Sequence, residues 1–233
     1  MWWFAALQAN LLLLCRRRAA AGPLLDAGCG TGGLLARIAA EEPQRTAIGL
    51  DADLGACARA QAKSGRPVCA GSVNALPFDD NSFGAILSAD VLCHRDVDEG
   101  AALAQFRRCL TDEGVLILNL PAYSWMMSRH DRAVHNARRY TRRRVARLLQ
   151  AAGFRIVFAS YWNMLLFPMM VLRRKLMPGP QAADSDVKLY PTPVETLCRV
   201  ATGFERALLA RGLRLPFGGS LIAVAAKDRD RYA

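Results

Sequence analysis

The sequence predicts an α/β fold: a seven-stranded, mostly parallel sheet with helices on both faces and a helical insertion before the last strand. Three observations predict it. Strand-like and helix-like stretches alternate as far as residue 162, the pattern of a sheet covered on both sides. The stretch Asn163–Pro216 interrupts that alternation and stands before the last strand-like run. The chain has 233 residues, 52% of them hydrophobic and 22% charged. A chain of that size can bury about 70% of the surface its unfolded form exposes, so one domain is expected, with no disulfide or metal staple.

In chain order, the strand-like runs are Pro23–Ala27, Thr46–Leu50, Pro67–Ala70, Gly84–Ser88, Gly114–Leu120, Phe154–Trp162 and Ser220–Ala226. The helical stretches between them are Gly33–Glu41, Ala52–Lys63, Glu99–Leu110 and Thr141–Ala152. Asn163–Pro216 breaks the alternation. The expected organisation is an N-terminal helix over 1–22, a core over 23–162, an insertion or substrate lid over 163–216, and the last strand and tail over 217–233.

The N-terminal apolar run from Met1 to Leu14 is followed by Arg16, Arg17 and Arg18. A secretory signal has the reverse order of charge and apolar run, and the run is shorter than the roughly 20 residues that span a bilayer. It reads as a helix packed on the domain or lying at a membrane interface. The seven cysteines form no C-x-x-C pair. That disfavours a disulfide framework or a zinc site and fits a cytoplasmic protein. Net charge is +11, which attracts anions. Eight arginines and one acid, Asp131, lie between Arg129 and Arg147.

The chemistry starts at Leu24-Leu25-Asp26-Ala27-Gly28-Cys29-Gly30-Thr31-Gly32-Gly33, which ends a strand and opens a helix. Glycines let the backbone turn sharply and approach a ligand, and the helix start offers free N–H groups. Two patterns overlap here: G-x-G-x-x-G of dinucleotide binders and D-x-G-x-G-x-G. Asp26, two residues before the first glycine, suits an ammonium group and repels a pyrophosphate. Asp51, at the end of the second strand, can accept both hydroxyls of a ribose. The third strand ends in Gly71-Ser72-Val73-Asn74. A ligand with a cation, a ribose and a purine would meet these strand ends in order, and S-adenosylmethionine is such a ligand.

Taken together, these motifs resemble class I S-adenosylmethionine-dependent methyltransferases, in the broad ubiquinone/menaquinone-biosynthesis-like group, over residues 24 to about 120. The resemblance implies a Rossmann-like fold and S-adenosyl-L-methionine as cofactor. It places Asp26, Gly28 and Gly30 at the methionine end, and Asp51 at the ribose with Ala52 beside it. Ser72 and Val73 border the adenine, and Ser88 lies at the end of the fourth strand. Many relatives have Asp where Ser72 stands. A narrower resemblance, to a bacterial branch found near glycosyltransferase, lipid and polyketide enzymes, rests on Trp2-Trp3-Phe4, His130-Asp131, His135, Arg138-Arg139-Tyr140-Thr141, Tyr161-Trp162-Asn163, Phe167-Pro168 and Leu215-Pro216-Phe217-Gly218-Gly219-Ser220.

In such a fold the methyl acceptor enters above strands four and five. The loops there carry His94, then Tyr123, His130, His135, Arg138, Arg139 and Tyr140. Histidine is the usual base near neutral pH, so His130 and His135, with Tyr123 nearby, are the catalytic candidates. Trp3, His94, Arg138, Arg139, Tyr140 and Trp162 are the substrate candidates, the arginines as clamps for a carboxylate or phosphate. The spacing of the histidines matches no metal site. Arg142, Arg143, Arg144 and Arg147 read as a solvated or membrane-facing face of a helix. The apolar stretch Tyr161–Leu172, followed by Arg173-Arg174-Lys175, reads either as core or as an adaptable wall for a greasy substrate.

The expected activity is transfer of a methyl group to oxygen of a hydrophobic small-molecule or lipid-linked acceptor, in the cytoplasm or peripherally at the inner membrane face. A nucleic-acid methyltransferase is the first alternative, favoured by charge. It lacks support from any added RNA-binding domain or from an Asn/Asp-Pro-Pro-Tyr tetrad after strand four, so nucleic acid is not the expected partner. A non-catalytic cofactor-binding subunit of a biosynthetic complex is the second.

Overall fold

The computed structural model describes residues 1–176 and 190–228, without the side chains of 130 and 173–176. Seven strands are present among them: β1 (Leu24–Ala27), β2 (Ala47–Asp51), β3 (Val68–Ala70), β4 (Phe83–Ala89), β5 (Leu110–Pro121), β6 (Phe154–Trp162) and β7 (Ser220–Lys227). They form one sheet in the order β3-β2-β1-β4-β5-β7-β6. The first five are parallel, while β7 runs antiparallel between β5 and β6. Every residue of β1 is buried, which is why its sequence is apolar throughout apart from Asp26.

The helices are α1 (Trp2–Arg18), α2 (Gly33–Glu41), α3 (Leu54–Ser64), α4 (Glu99–Cys109), α5 (Arg129–Ala133), α6 (Arg142–Ala151), α7 (Phe167–Leu176) and α8 (Thr192–Ala210). One face of the sheet is covered by apolar side chains of α1, α2, α3 and α8, among them Leu11, Leu35, Ala60 and Leu209. The other is covered from α4 and α6 by Leu103, Phe106, Val145 and Leu149. Short polar side chains start three of these helices. Asp53 accepts the Ala56 N–H, Asp98 that of Ala101, and Thr141 that of Arg144, each satisfying a donor the first turn leaves open.

The element bounds differ from the sequence reading by a residue or two, except at β5 and at the N-terminal helix, expected over 1–22, which ends at Arg18. Thr111, Asp112, Glu113 and Gly114 look like a turn, yet the chain passes from α4 into β5 with no loop. Leu110 pairs with Phe83 and Val115 with Ala85, so residues 111–114 bulge out of the ladder between them and the strand continues on both sides of the local turn. The segment Tyr161–Leu172 is not one helix: it finishes β6, turns at Asn163 (φ 61°) and begins α7. The Arg173–Lys175 side chains lie outside the described residues. The apolar N-terminus forms α1, and its buried residues, Ala6, Leu11, Leu12 and Leu14 among them, pack into the domain. Among the described residues, no helix is long and apolar enough to cross a membrane.

Candidate active site

The strand order reverses between β1 and β4. In open α/β sheets ligands bind in the crevice at that point, beyond the carboxyl ends of the strands. Here an acid stands on each side of it: Asp26 in β1, and Asp90 just after β4.

Asp26 is buried, and its Oδ2 has no hydrogen-bond partner. Burial, reinforced by the charge of Asp51, pushes its carboxyl up to about 7. A buried, unpaired carboxyl is costly, and an ammonium ligand would relieve it. Above it the chain turns through Gly28 (φ 88°) and Gly30 (φ 53°). A Cβ on Gly28 would stand 2.1 Å from Val91 Cγ2, whereas one on Gly30 would meet only open space. Gly28 is therefore fixed by packing, and Gly30 leaves room on the ligand side. Asp51 ties this turn to β2: its Oδ2 accepts the Gly30 N–H at 2.8 Å and its Oδ1 that of Asp53 at 3.0 Å. A carboxylate oxygen has a second lone pair, so both can still take a hydroxyl. Ala52 and Ser72 are exposed beside it, and Val73 is buried. Together these line an open surface at the tips of β2 and β3.

Next to the glycine turn lies a cavity of about 1080 Å³. Its walls are mainly apolar: Trp3, Phe4, Leu7 and Leu11 from α1, Leu166, Met169 and Met170 at α7, and Val194 and Cys198 from α8. The polar groups that reach it include Gln8, Lys63, Asp90, His94 and Asn163. Asn163 is buried, its Nδ2–H donates to Met170 Sδ, and its Oδ1 is unpartnered.

Several expected site residues are placed elsewhere. Tyr123 (φ 58°) does not line the cavity. Its ring stacks between Trp125 and Tyr161, with centroids 5.6 and 5.1 Å away. Burial and a hydrogen bond with Tyr161 push its phenol up to about 12, the wrong direction for a base. Tyr140 is fully buried under Arg144, and its hydroxyl donates to Leu92 O at 2.8 Å. Arg138 donates to the carbonyls of Leu92, Val97 and Arg95, fastening the loop after β4 instead of facing an acceptor. Arg139 borders the cavity, but its guanidinium is buried against both oxygens of Asp131 and the carbonyl of Ala122. It is not an open anion clamp. Ser88 is buried, its Oγ is unpartnered, and it does not line the cavity. His135 is exposed at φ 59° and also lies outside the lining, while its carbonyl accepts the Arg95 N–H. The His130 side chain lies outside the described residues.

Trp3 and His94 do line the cavity. Burial, and then the neighbouring His135, hold His94 below the usual imidazole value. Trp162 is buried one step behind the wall, stacked on Trp3 at 6.1 Å. Asp90 is the residue the sequence reading missed. The signal was present: an acid directly after a buried apolar strand, on the far side of the switch point from Asp26.

Residues 25–118 match the family model of a methyltransferase domain. None of the curated proteins matches the sequence. Many solved structures share the fold. One is the geranyl diphosphate C-methyltransferase of Streptomyces coelicolor A3(2), in complex with Mg2+, geranyl diphosphate and S-adenosyl-L-homocysteine (TM-score 0.60, 14% identity, 94% of this chain and 77% of that one). Another is the [4+2]-cyclase SpnF (TM-score 0.63, 21% identity, 97% and 84%). A third is a methyltransferase bound to the Haloferax volcanii activator Trm112 (TM-score 0.61, 17% identity, 97% and 90%). At these identities the likeness is one of fold. The family match, to a methyltransferase domain, covers β1 to β5, and the fold is that of Rossmann-like methyltransferases.

Proposed function

We propose that this chain transfers a methyl group from S-adenosylmethionine to a hydrophobic acceptor, a small molecule or a lipid-linked one, at oxygen. The observation that carries the reading is the cavity: about 1080 Å³, walled by aromatic, leucine and methionine side chains, and opening beside the Gly28–Gly30 turn. Such a space buries a greasy molecule and offers few polar groups to orient it. The donor half of the site fits the cofactor. Asp26 supplies a buried, unpartnered carboxylate for an ammonium group, Asp51 supplies acceptors for ribose hydroxyls, and Gly30 leaves open space. When bound, the cofactor supplies an electrophilic methyl group. The chain's own contribution is to hold the acceptor against it and exclude water.

The state of Asp26 provides a test. With its carboxyl at about 7, the empty protein holds a proton there below neutrality, and a ligand ammonium favours the carboxylate. Binding should therefore release a proton, and affinity should weaken toward tenfold per pH unit between about pH 7 and pH 5. The empty fold changes the opposite way, because a raised carboxyl pKa makes it more stable as pH falls through that range. Calorimetry with S-adenosylhomocysteine in buffers of different ionisation enthalpy measures the proton. Asp26→Asn should abolish both the release and the slope. Binding of equal strength at both ends of this range, with no proton released, would remove Asp26 from the site.

The lipid-linked form of the acceptor draws support from the surface of the two helices that wall the cavity. Met169 and Leu172 on α7, and Leu197, Val200 and Phe204 on α8, are all exposed, in a chain of net charge +11. Co-sedimentation with anionic vesicles, reversed by high salt, is the expected result. Failure to sediment with anionic vesicles at low salt would leave the freely diffusing small molecule as the acceptor.

A further inference from the structure

We propose that Asp90 is the proton acceptor of the transfer site: its carboxylate receives the hydrogen of the acceptor's hydroxyl beside the transferring methyl group. This inference rests on the methyltransferase reading above and adds the residue that faces the nucleophile.

Three observations carry it. Asp90 borders the apolar cavity directly after β4, across the switch point from Asp26. A buried relay orients it: Trp162 Nε1–H donates to Asn119 Oδ1 at 2.7 Å, and Asn119 Nδ2–H donates to Asp90 Oδ1 at 3.1 Å. Asn119 and Trp162 are both 0% exposed, so the carboxylate is aimed by groups with no freedom to turn. Among the described residues no other donor holds the carboxylate. The backbone is also committed. Asp90 adopts φ 55°, and its N–H donates to Asn119 O at 2.8 Å. A non-glycine residue in that region is uncommon and concentrates at functional sites.

The other groups nearby are engaged or misplaced. Asp131 is taken by Arg139, Tyr123 stands outside the cavity, and His94, which also lines it, has its ring tied to the Asp90 backbone carbonyl. Burial pushes the Asp90 carboxyl up to about 7, against the opposing Asn119 hydrogen bond and the charge of Arg139, the range in which a base works best at neutral pH. The step balances: the acceptor's O–H proton passes to Asp90, the new oxygen–carbon bond replaces the sulfur–carbon bond, and the sulfur keeps that electron pair. Asp90 later returns the proton to solvent.

The test needs no acceptor. Sinefungin is an analogue that carries an ammonium group where the methyl group stands, and S-adenosylhomocysteine has nothing there. A carboxylate at the transfer point should make the protein prefer sinefungin. Asparagine tolerates the left-handed backbone, so Asp90→Asn should fold and bind S-adenosylhomocysteine as the unaltered protein does. Its preference for sinefungin should fall by about tenfold or more, the effect of losing a charge-assisted contact. Trp162→Phe, which keeps a stacking ring but removes the relay donor, should lower the preference by less. An unchanged preference in Asp90→Asn overturns the assignment. So does an equal loss of both ligands, which would make Asp90 a holder of the part they share. Failure of the unaltered protein to bind either ligand overturns the cofactor reading itself, and this inference with it.

Discussion

Asp51→Ala is expected to weaken S-adenosylmethionine binding by roughly 10- to 100-fold, about 1.5–3 kcal/mol. Two losses combine. The ribose hydroxyls lose a charged acceptor, and Gly30 loses the carboxylate that fixes its N–H at 2.8 Å. The second loss would leave the turn free to move before any ligand arrives, so the slope of heat against concentration should flatten and the empty protein should melt slightly earlier. Asp51→Asn separates the two, since an amide oxygen can still accept the Gly30 N–H while the charge is gone. Calorimetry that returned the unaltered affinity for Asp51→Ala would remove β2 from the cofactor site.

Asp131→Asn is expected to cost more, but in folding and not in chemistry. Asp131 and Arg139 are 1% and 5% exposed and form a bidentate pair at 2.8–3.0 Å. Removing the Asp131 charge takes from the buried Arg139 guanidinium the carboxylate that balances it, a loss of about 3–5 kcal/mol. For a domain of this size that lowers the melting temperature by about 10 °C. The pair also sets a pH dependence. Burial alone would raise the Asp131 carboxyl, but the charge and hydrogen bonds of Arg139 outweigh it and hold it below the usual carboxylate range. Its contribution is thus present above the ordinary carboxylate pKa and is lost as pH falls through the depressed one. Thermal melts of the variant should lack that acid limb. A variant that melts with the unaltered protein would show that the loop over residues 131–139 is not braced by this pair.

What the sequence reveals divides along physical lines. The sheet was legible because β1, β4 and β7 are buried on both faces, and an unbroken apolar run has few other places to go. The glycine turn was legible because positive φ at Gly28 and Gly30 demands that residue. The loops after β4 and β5 were not. Tyr123, Arg138, Arg139 and Tyr140 have the residue types of a site, but type does not give direction. Tyr123, Arg138 and Tyr140 are turned by partners far along the chain, Tyr161 for the first and the carbonyls of the β4 loop for the other two, and Arg139 is turned by Asp131, from a different turn of the same loop. Asp90 was overlooked for the converse reason. Its significance comes from Asn119 and Trp162, which join it only once β4, β5 and β6 are assembled.

The most direct test is a calorimetric titration of S-adenosylhomocysteine into the unaltered chain, held at a pH above the Asp26 transition. One binding site per chain is expected, weakened by Asp51→Ala and untouched by Asp90→Asn. Absence of binding, or binding indifferent to Asp51, would contradict the assignment of the crevice between β1 and β4 as the cofactor site.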